Sequence, residues 1–307
     1  MHYVVTGGAG FIGSNIVREL SEGNTVTVLD DLSSGDLSRI SDLAGNKKVE
    51  FIQGDITNID ILREAFESAD GVFHEAAQIS VQDSIKDPLK NDKINSLGTL
   101  NVLISARECG VKKVVMASSA AIYGNDPALP KKEDMLPCPL SPYAVSKITG
   151  ENYCSVFSEL YGLKTACLRY FNVFGLGQNP DSPYAAVIPK FIDAVINGRS
   201  PVIYGDGEQT RDFIYVKDVA HANVLAMQSS ATGIFNVAGG KSVTLNELFE
   251  ILKEISNSSV EPVFYDEKKG DVRYSVADVS KAMNSFGFRP KYSLRDGLIE
   301  IYSSFVK

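Results

Sequence analysis

A glycine-rich run near the start of the chain constrains the fold more than any other feature. The run, TGGAGFIG at 6–13, lies between an apolar stretch at 3–5 and a segment whose apolar residues recur with helical spacing. Glycines in a strand-turn-helix setting allow a sharp reversal, close approach of backbone N–H groups to a pyrophosphate and tight helix packing. A second apolar stretch at 25–29 ends in Asp30, an acid placed to bind ribose hydroxyls. The sequence therefore predicts a dinucleotide-binding unit, and Asp30 favours NAD over NADP because a carboxylate would repel a 2′-phosphate.

The composition is that of a globular enzyme and argues against several partners. The chain has 307 residues, 44% of them hydrophobic, and can bury a core large enough for two domains or one enlarged domain. Its formal net charge of −8 argues against nucleic acid or an anionic membrane as the main partner. No apolar stretch reaches bilayer length and the first strand follows Met1 directly, so we expect a cytoplasmic protein. The four cysteines lack CxxC spacing and nearby histidines, and we expect no metal site.

Strand and helix patterns alternate through the first half of the chain. Three segments with helical periodicity occupy 59–69, 88–109 and 142–161. Strand-like runs alternate with them, at 49–52, 71–76, 114–118 and 164–170. Such alternation predicts parallel strands with helices on both faces, which is a Rossmann-type doubly wound α/β fold.

The pattern changes to shorter elements beyond about residue 172. We expect a helix at 187–197, strands at 202–204, 213–216 and 234–237, and a helix that opens with a capping box at 244–247 and runs through Ile255. These elements predict a smaller C-terminal α/β lobe that binds the substrate. We place an NAD-binding domain at 1–171 and this lobe at 172–307, partly interleaved with the first.

A second motif, YAVSK at 143–147, carries the chemistry. Residues i and i+4 lie on one face of a helix, so Tyr143 and Lys147 can point at the same bound molecule. The charges of Lys147 and of a nicotinamide would lower the pKa of Tyr143 from near 10 toward that of a general base. Ser119 follows an apolar strand, and sites on parallel sheets form outside the carboxyl ends of the strands. We expect Ser119, Tyr143 and Lys147 to be catalytic; a surface Tyr–Lys pair is the alternative.

With these motifs in place, the chain resembles the extended short-chain dehydrogenase/reductases, and within them the nucleotide-sugar 4-epimerases. The resemblance covers nearly the full length and rests on sequence blocks that follow the family's order. The blocks are TGGAGFIG (6–13), DDLSSG (30–35), GDI (54–56), HEAA (74–77), SSAAIYG (118–124), SPYAVSK (141–147), LRYFNVFG (168–175), GDGEQTRDFIYVKD (205–218) and GDVRYSVAD (270–278). The resemblance implies NAD as the cofactor, a UDP-sugar as the substrate, and a homodimer formed through the helices at 88–109 and 142–161.

The resemblance also implies which residues line each part of the site. Those expected around NAD are Gly7, Gly10, Phe11, Ile12, Gly13, Asp30, Asp31, Ser33, Ser34, Gly35, Asp55, Ile56, Ala76, Ala77, Gln78, Asn95, Tyr143, Lys147 and Phe171. Those expected around the UDP-sugar are Ser80, Ser119, Asn172, Ala186, Val187, Tyr204, Arg211, Arg273 and Ser275.

Several of these polar residues also have ordinary structural interpretations. The guanidinium groups of Arg211 and Arg273 suit diphosphate oxygens, but Asp212 or Asp271 could instead pair with them. His74 has no catalytic partner in the sequence, and we expect a packed polar residue. Asp218 is expected to cap the helix that follows it.

The same resemblance favours epimerisation over the family's other reactions. Its dehydratases carry an Asp-Glu pair after the serine or threonine of the fifth strand, and its decarboxylases a Glu, where this chain has Ala120 and Ala121. A methyl group cannot move a proton. Epimerisation needs one base, Tyr143, which takes the 4-hydroxyl proton while hydride passes to NAD, and the 4-keto sugar turns before the hydride returns. A non-catalytic NAD-binding sensor is the alternative from another class, and Asp30 disfavours an NADP-dependent reductase.

The choice of sugar depends on a position near the end of the matching blocks. Ser275 stands where epimerases restricted to glucose and galactose carry a bulky tyrosine, so its small side chain would leave room for a 2-acetamido group. Ala120, Ala121 and Ile79 depart from the pattern of the acetamido-specific members. We therefore expect an enzyme that uses UDP-glucose and UDP-galactose together with their N-acetylated counterparts, with a UDP-uronic acid 4-epimerase as the near alternative.

Overall fold

The computed structural model describes residues 1–43, 48–178, 187–267 and 272–306, and alternating strands and helices account for most of them. Its strands are β1 (His2–Thr6), β2 (Thr25–Asp30), β3 (Val49–Gln53), β4 (Gly71–His74), β5 (Lys113–Ser119), β6 (Lys164–Tyr170), β7 (Asn172–Phe174), β8 (Val202–Tyr204), β9 (Thr210–Tyr215), β10 (Gly233–Val237), β11 (Ser242–Thr244) and β12 (Val263–Tyr265). Its helices are α1 (Phe11–Ser21), α2 (Ile59–Ala65), α3 (Val81–Lys86), α4 (Pro88–Asp92), α5 (Gly98–Glu108), α6 (Pro142–Tyr161), α7 (Val187–Ile196), α8 (Val216–Gln228), α9 (Leu245–Ser256), α10 (Ser280–Phe286) and α11 (Leu294–Phe305).

Seven of the described strands form one parallel sheet. Its order is β10-β6-β5-β4-β1-β2-β3, which confirms the doubly wound Rossmann-type prediction. All seven strands run the same way, so their carboxyl ends meet at one edge. Because β10 pairs with β6, a strand from the second half of the chain completes the sheet.

Helices cover both faces of this sheet and divide its core into two apolar layers. One layer packs α1, α8 and α10 against the sheet, with Ile16, Ala222 and Phe286 among its buried side chains. The other layer packs α2, α5 and α6 on the opposite face, with Leu62 and Val102 among its buried side chains. The central strands β1, β4, β5 and β6 are therefore buried on both faces, as is typical of parallel sheets.

The smaller lobe is built on a three-stranded sheet in the order β11-β9-β7 and a two-stranded pair of β12 with β8. Its core lies among α7, α9 and α11 and contains Phe191, Leu248 and Leu298. The predicted capping box is confirmed, because Thr244 and Glu247 exchange side chain-to-backbone hydrogen bonds at the start of α9.

Helix α6 has clear start and stop signals in the sequence, and its predicted bounds are confirmed. Ser141 accepts a hydrogen bond from the Ala144 N–H, Pro142 occupies the first turn, and Gly162 ends the helix with φ +69°. These signals fix the helical phase of Tyr143 and Lys147.

Two expectations from the sequence were wrong in detail. The segment at 88–109 is interrupted by a π-helical turn at Lys93–Leu97, so it is not one uniform α-helix. Asp218 lies inside the first turn of α8 instead of capping it. Its carboxylate accepts hydrogen bonds from the N–H groups of Lys291 and Tyr292, and these bonds hold the segment before α11 against α8.

Candidate active site

The glycine run forms a tight turn between β1 and α1. Gly7 has φ +70°, and its N–H donates to the Leu29 carbonyl at 2.8 Å. A side chain on Gly7 would meet the Ala76 nitrogen at 2.6 Å, and one on Gly13 would press on the Gly7 carbonyl. Gly13 therefore permits close packing of α1 against the turn. Gly10 is the residue before α1, and no described side chain caps the helix there, so the first N–H groups of the helix can bind an anion.

Asp30 is held rigidly at the end of β2. Its carboxylate accepts the Ala9 N–H at 3.0 Å through one oxygen and the Leu32 N–H at 2.9 Å through the other. Gly35 lies so close that a β-carbon there would be 2.5 Å from Asp30 Oδ1. Each carboxylate oxygen keeps a further lone pair, so Asp30 can still accept hydrogen bonds from ribose hydroxyls. These contacts fit a dinucleotide.

The other residues expected around NAD also gather along the carboxyl edge of the sheet. Phe11 and Ile12 open α1; Asp31, Ser33, Ser34 and Gly35 follow β2; Asp55 and Ile56 follow β3; Ala76, Ala77 and Gln78 follow β4; and Phe171 follows β6. Asn95 lies in the π-helical turn, and its side chain makes two hydrogen bonds to the Gln78 backbone. Its Oδ1 accepts the Gln78 N–H at 2.8 Å, and its Nδ2 donates to the Gln78 carbonyl at 3.0 Å. The buried Gln78 Oε1 has no hydrogen-bond partner among the described residues, so it can serve a ligand.

Tyr143, Lys147 and Ser119 converge next to this edge. The Lys147 ammonium lies 5.8 Å from the centre of the Tyr143 ring and donates to the Ala117 carbonyl at 2.9 Å. Ser119 ends β5, and its hydroxyl accepts the Ala121 N–H at 3.1 Å while also bonding to Tyr143. The set lies outside the carboxyl ends of the strands, where sites of this fold form.

Lys147 by itself does not lower the pKa of Tyr143, and the lowering expected from the sequence, which includes the charge of a bound nicotinamide, stays a prediction. Burial raises this pKa above 10 and the Glu75 charge raises it further, while the hydrogen bond from Ser119 acts in the opposite direction. Burial lowers the pKa of Lys147 to about 8. The Lys147 ammonium is directed at the Ala117 carbonyl, which explains why it has little effect on the pKa of the Tyr143 hydroxyl.

His74 is a packed polar residue, as the sequence suggested. Its two ring nitrogens meet the hydroxyls of Thr6 at 2.8 Å and Thr99 at 2.9 Å. Burial, helped by the Lys147 charge, lowers its pKa to about 3. The ring is therefore neutral near pH 7 and is not poised to exchange protons.

Three charged residues of the site were missed in the sequence. Glu75 lies beside His74 in the HEAA block, and its carboxylate accepts the Tyr170 hydroxyl at 2.9 Å. Glu151 forms a buried bidentate pair with Arg169 at 2.9 and 2.8 Å. Two signals in the sequence could have found the acids. Glu75 lies in the HEAA block at the end of a predicted strand, and Glu151 is four residues after Lys147 on the same helix face.

A fourth missed residue, Arg39, connects the two lobes. It donates to the Ala9 carbonyl at 3.1 Å in the glycine turn and to the Gly177 carbonyl at 3.2 Å in the smaller lobe. No pattern in the sequence points to this contact, because its partners are backbone atoms far apart in the chain.

The residues expected around the UDP-sugar fall into two groups. Ser80 and Ser119 lie on the sheet side of the site, where Ser80 caps α3 by accepting the Asp83 N–H at 3.0 Å. On the lobe side, Asn172 starts β7, Val187 starts α7, Tyr204 ends β8 and Arg211 lies on β9. Ala186 lies outside the described residues.

The segment at 272–278 lies against β9 and brings Arg273 and Ser275 to the same lobe. The Thr210 N–H donates to the Arg273 carbonyl at 2.9 Å, and the Ser275 N–H donates to Thr210 Oγ1 at 3.2 Å. Arg211 donates to the Val272 carbonyl at 2.6 Å. Buried Asp212, which the sequence suggested only as a partner of an arginine, fixes the segment further by accepting the Ala277 N–H at 3.0 Å.

Arg273 takes part in ion pairs in the structure. Its guanidinium pairs with Asp206 at 2.6 Å and Glu267 at 2.8 Å, and its side chain is 38% exposed. The sequence had suggested Asp212 or Asp271 as the carboxylates that could pair with the two arginines, and Asp271 lies outside the described residues. A diphosphate at Arg273 would have to share the guanidinium with these acids or displace them.

Two further observations limit the chemistry available. Outside the gaps at 44–47, 179–186, 268–271 and 307, no group of three His, Cys, Asp or Glu side chains could hold a metal ion. Within the same described ranges, no helix is long and apolar enough to cross a membrane.

Known proteins match the chain over nearly its whole length. The model of the NAD-dependent epimerase/dehydratase family matches residues 3–238. A UDP-N-acetylglucosamine 4-epimerase of Methanobrevibacter ruminantium, solved in complex with UDP-N-acetylmuramic acid, superposes with a TM-score of 0.96 at 44% identity, covering 99% of this chain and 98% of that one. A UDP-glucose 4-epimerase of Thermotoga maritima, solved with UDP-glucose, superposes with a TM-score of 0.94 at 40% identity, covering 100% and 99%. A UDP-glucuronate 4-epimerase of Thermodesulfobacterium geofontis is 35% identical over 308 residues, which are 97% of this chain and 94% of that protein.

Proposed function

Because this chain belongs to the NAD-dependent epimerase/dehydratase family, we propose that it catalyses the 4-epimerisation of UDP-hexoses, both plain and N-acetylated. The observation that carries the proposal is the convergence of Tyr143, Lys147 and Ser119 beside the glycine turn. Ala120 and Ala121 follow Ser119 directly in a 3₁₀ turn, so the positions next to the catalytic serine offer no second acid or base. One base is sufficient for epimerisation.

In the proposed mechanism, Tyr143 accepts the proton of the sugar 4-hydroxyl. The Ser119 oxygen accepts a hydrogen bond from the Ala121 N–H, which leaves the hydroxyl proton of Ser119 free to bridge Tyr143 and the substrate oxygen. Bound NAD would supply the hydride acceptor and a positive charge that favours the Tyr143 phenolate. Lys147, fixed by the Ala117 carbonyl, would hold the nicotinamide ribose. The same tyrosine returns the proton after the 4-keto sugar has turned.

The smaller lobe would hold the nucleotide while the hexose turns. We assign the diphosphate to Arg211 and Arg273, whose planar guanidinium groups suit phosphate oxygens, and the nucleoside to the region of Tyr204 and Asn172. Both arginines are fixed through the 272–278 segment. An acidic protein needs such local cations to bind a dianion. A division of roles at about residue 171 is part of this proposal.

A panel of nucleotide sugars tests the proposal directly. The purified protein is incubated with UDP-glucose, UDP-galactose, UDP-N-acetylglucosamine, UDP-N-acetylgalactosamine and UDP-glucuronate, and the products are separated. We expect 4-epimers of the first four, with no stoichiometric consumption of added NADH. Protein that binds NAD but converts none of the panel would support the sensor alternative, and net NADH consumption would indicate a reductase.

The acceptance of acetylated sugars is assigned to Ser275. This residue is half-buried, and its N–H donates to Thr210 Oγ1, so its backbone is fixed beside β9. Ser275→Tyr should lower kcat/KM for the N-acetylated pair by one to two decades, because overpacking costs roughly 1–3 kcal/mol. The plain pair should change little. An unchanged ratio of the two rate constants would remove this assignment.

A UDP-uronic acid 4-epimerase remains the second candidate because of the similarity to the Thermodesulfobacterium geofontis protein. This function requires a cation for the substrate carboxylate near the sugar. Preferential conversion of UDP-glucuronate in the same panel would establish it in place of the first proposal.

We also propose a homodimer formed through α4, α5 and α6. Leu89 on α4 is 83% exposed and Leu160 on α6 is 68% exposed. Val156 on α6 and Leu97, in the π-helical turn between α4 and α5, add further exposed apolar side chains. Such an apolar surface on adjacent helices is typical of a subunit interface. Sedimentation of the wild type and of Leu89→Glu tests this, and a monomeric wild type would refute it. We retain the expectation of a cytoplasmic enzyme as part of this proposal.

A further inference from the structure

Glu75 is a carboxyl group at the site that the proposed mechanism does not use. It follows the last residue of β4, and its N–H donates to the Thr6 carbonyl at 3.0 Å. A β-carbon on Gly7 would lie 2.9 Å from the carbonyl carbon of Glu75. In the sheet order, β4 lies between β1, which leads into the glycine turn, and β5, which ends at Ser119. A dinucleotide that reaches from the turn to the Tyr–Lys pair must therefore cross the end of this strand.

The Glu75 carboxylate is held by a hydrogen-bonded chain of buried groups. The Tyr170 hydroxyl donates to Glu75 Oε1 at 2.9 Å, and the Asn223 amide donates to the Tyr170 oxygen at 2.8 Å. Tyr170 lies on β6 and the fully buried Asn223 lies on α8. Glu75 thus has a defined position, but it has no direct ion-pair partner among the described residues.

The charged, titratable and polar groups that face Glu75 come from four elements: α6, β6, β4 and α8. Helix α6 presents Lys147 and Tyr143, whose pKa values both respond to the Glu75 charge. Strand β6 presents Tyr170, which stays neutral because burial raises its pKa well above 10. His74 is the adjacent residue on β4 and is neutral near pH 7, and α8 contributes the uncharged Asn223. Burial raises the pKa of Glu75 to about 7, with the Tyr170 hydrogen bond and Lys147 acting in the opposite direction.

We propose that Glu75 is a positioning residue whose negative charge favours the oxidised, cationic nicotinamide over the reduced one and whose protonation removes this preference. The inference rests on the proposed NAD-dependent function. A single charge within a few ångströms of an altered charge, screened as in a partly buried site, shifts an equilibrium by a decade or more. Glu75 would therefore make the relative affinity of the site for NAD and NADH depend on pH near neutrality. The effect would act on the cofactor and not on the sugar.

The test measures NAD and NADH affinity on the full-length chain as a function of pH. After removal of bound nucleotide, the protein is titrated with NAD and separately with NADH between pH 5.5 and 7.5. If the oxidised nicotinamide lowers the pKa of Glu75 by about one unit, the preference for NAD over NADH should rise about fivefold across this range. The range lies below the pKa of Lys147, which limits its contribution.

Two variants and a control separate the Glu75 charge from a structural effect. Glu75→Gln keeps the shape and an acceptor for Tyr170, and should make the preference independent of pH at the low-pH value of the wild type. Tyr170→Phe keeps the carboxyl group but removes its hydrogen bond, so the transition should move to higher pH. Glu67→Gln removes an exposed carboxylate on the surface and should behave as the wild type.

Several results would overturn the inference. These are a flat wild-type preference, a Glu75→Gln profile that matches the wild type, or a Tyr170→Phe transition at the wild-type pH. Circular dichroism and Tm establish that each variant is folded, and Tyr170→Phe keeps the test informative if Glu75→Gln does not fold. Failure of the proposed function is distinct: it would appear as no binding of either nucleotide or no epimer formed from any UDP-hexose.

Discussion

The glycines of the turn between β1 and α1 allow a test that separates cofactor binding from folding. A methyl group on Gly13 would lie 2.8 Å from Gly8 Cα and closer still to the Gly7 carbonyl. These atoms are backbone and cannot rotate away, and Gly7 is itself held by Leu29 and packed against Ala76. A methyl group on Gly10 would meet only the Gly7 oxygen, at 3.0 Å. On Gly23, just beyond α1, it would meet nothing within 4 Å.

The three alanine variants should therefore behave differently. Gly13→Ala overpacks the turn, which should cost about 1–3 kcal/mol of unfolding free energy and lower Tm by roughly 2–4 °C for each kcal/mol. Gly10→Ala needs a shift of only a few tenths of an ångström, so its Tm without cofactor should change little. Its methyl group, however, stands at the helix N-terminus where we place the pyrophosphate, and NAD affinity should fall by about 10- to 100-fold. Gly23→Ala should change neither quantity.

Calorimetric titration with NAD and thermal unfolding of the nucleotide-free protein provide both readouts. The reasoning would be refuted if Gly10→Ala bound NAD as tightly as Gly23→Ala, because the pyrophosphate would then lie elsewhere. It would also be refuted if Gly13→Ala were as stable as the wild type, because the close packing of α1 on the turn would then be incorrect.

Three further predictions follow from individual side chains. Tyr143→Phe should lower kcat by about 100-fold or more with little change in UDP affinity, measured by product formation and by titration with UDP; retention of half the wild-type rate would contradict its role as base. The Lys147 ammonium loses its proton as pH rises through about 8, so kcat should fall on the alkaline side, and a pH profile that stays flat to pH 9.5 would contradict the need for this charge. His74 is held neutral with a pKa of about 3 against about 6.5 unfolded, so the stability it contributes is complete above pH 6.5 and is lost as pH falls. Denaturant unfolding should show a loss of about 2 kcal/mol between pH 6.5 and 5 that His74→Gln reduces; equal losses in both proteins would exclude His74 as the cause.

The sequence by itself determined the features that depend on local geometry. The strand-turn-helix around the glycine run, the bounds of α6 and the capping box of α9 follow from spacing, from Pro and Gly, and from side chains that cap nearby N–H groups. Each of these interactions spans only a few residues, so the order of residues is enough to predict it. The alternation of strand-like and helical segments likewise predicted a parallel sheet, because helices between parallel strands cover both faces of the sheet.

The tertiary structure decided what depends on contacts between distant segments. It placed β10 beside β6, linked Arg39 to Gly177, set Glu75 against Tyr170, and paired Arg273 with Asp206. It also raised the pKa of Tyr143 in the protein without cofactor, because a pKa reflects burial and the orientation of neighbouring charges. Helical spacing placed Lys147 on the same face as Tyr143, but only the fold directs its ammonium to the Ala117 carbonyl.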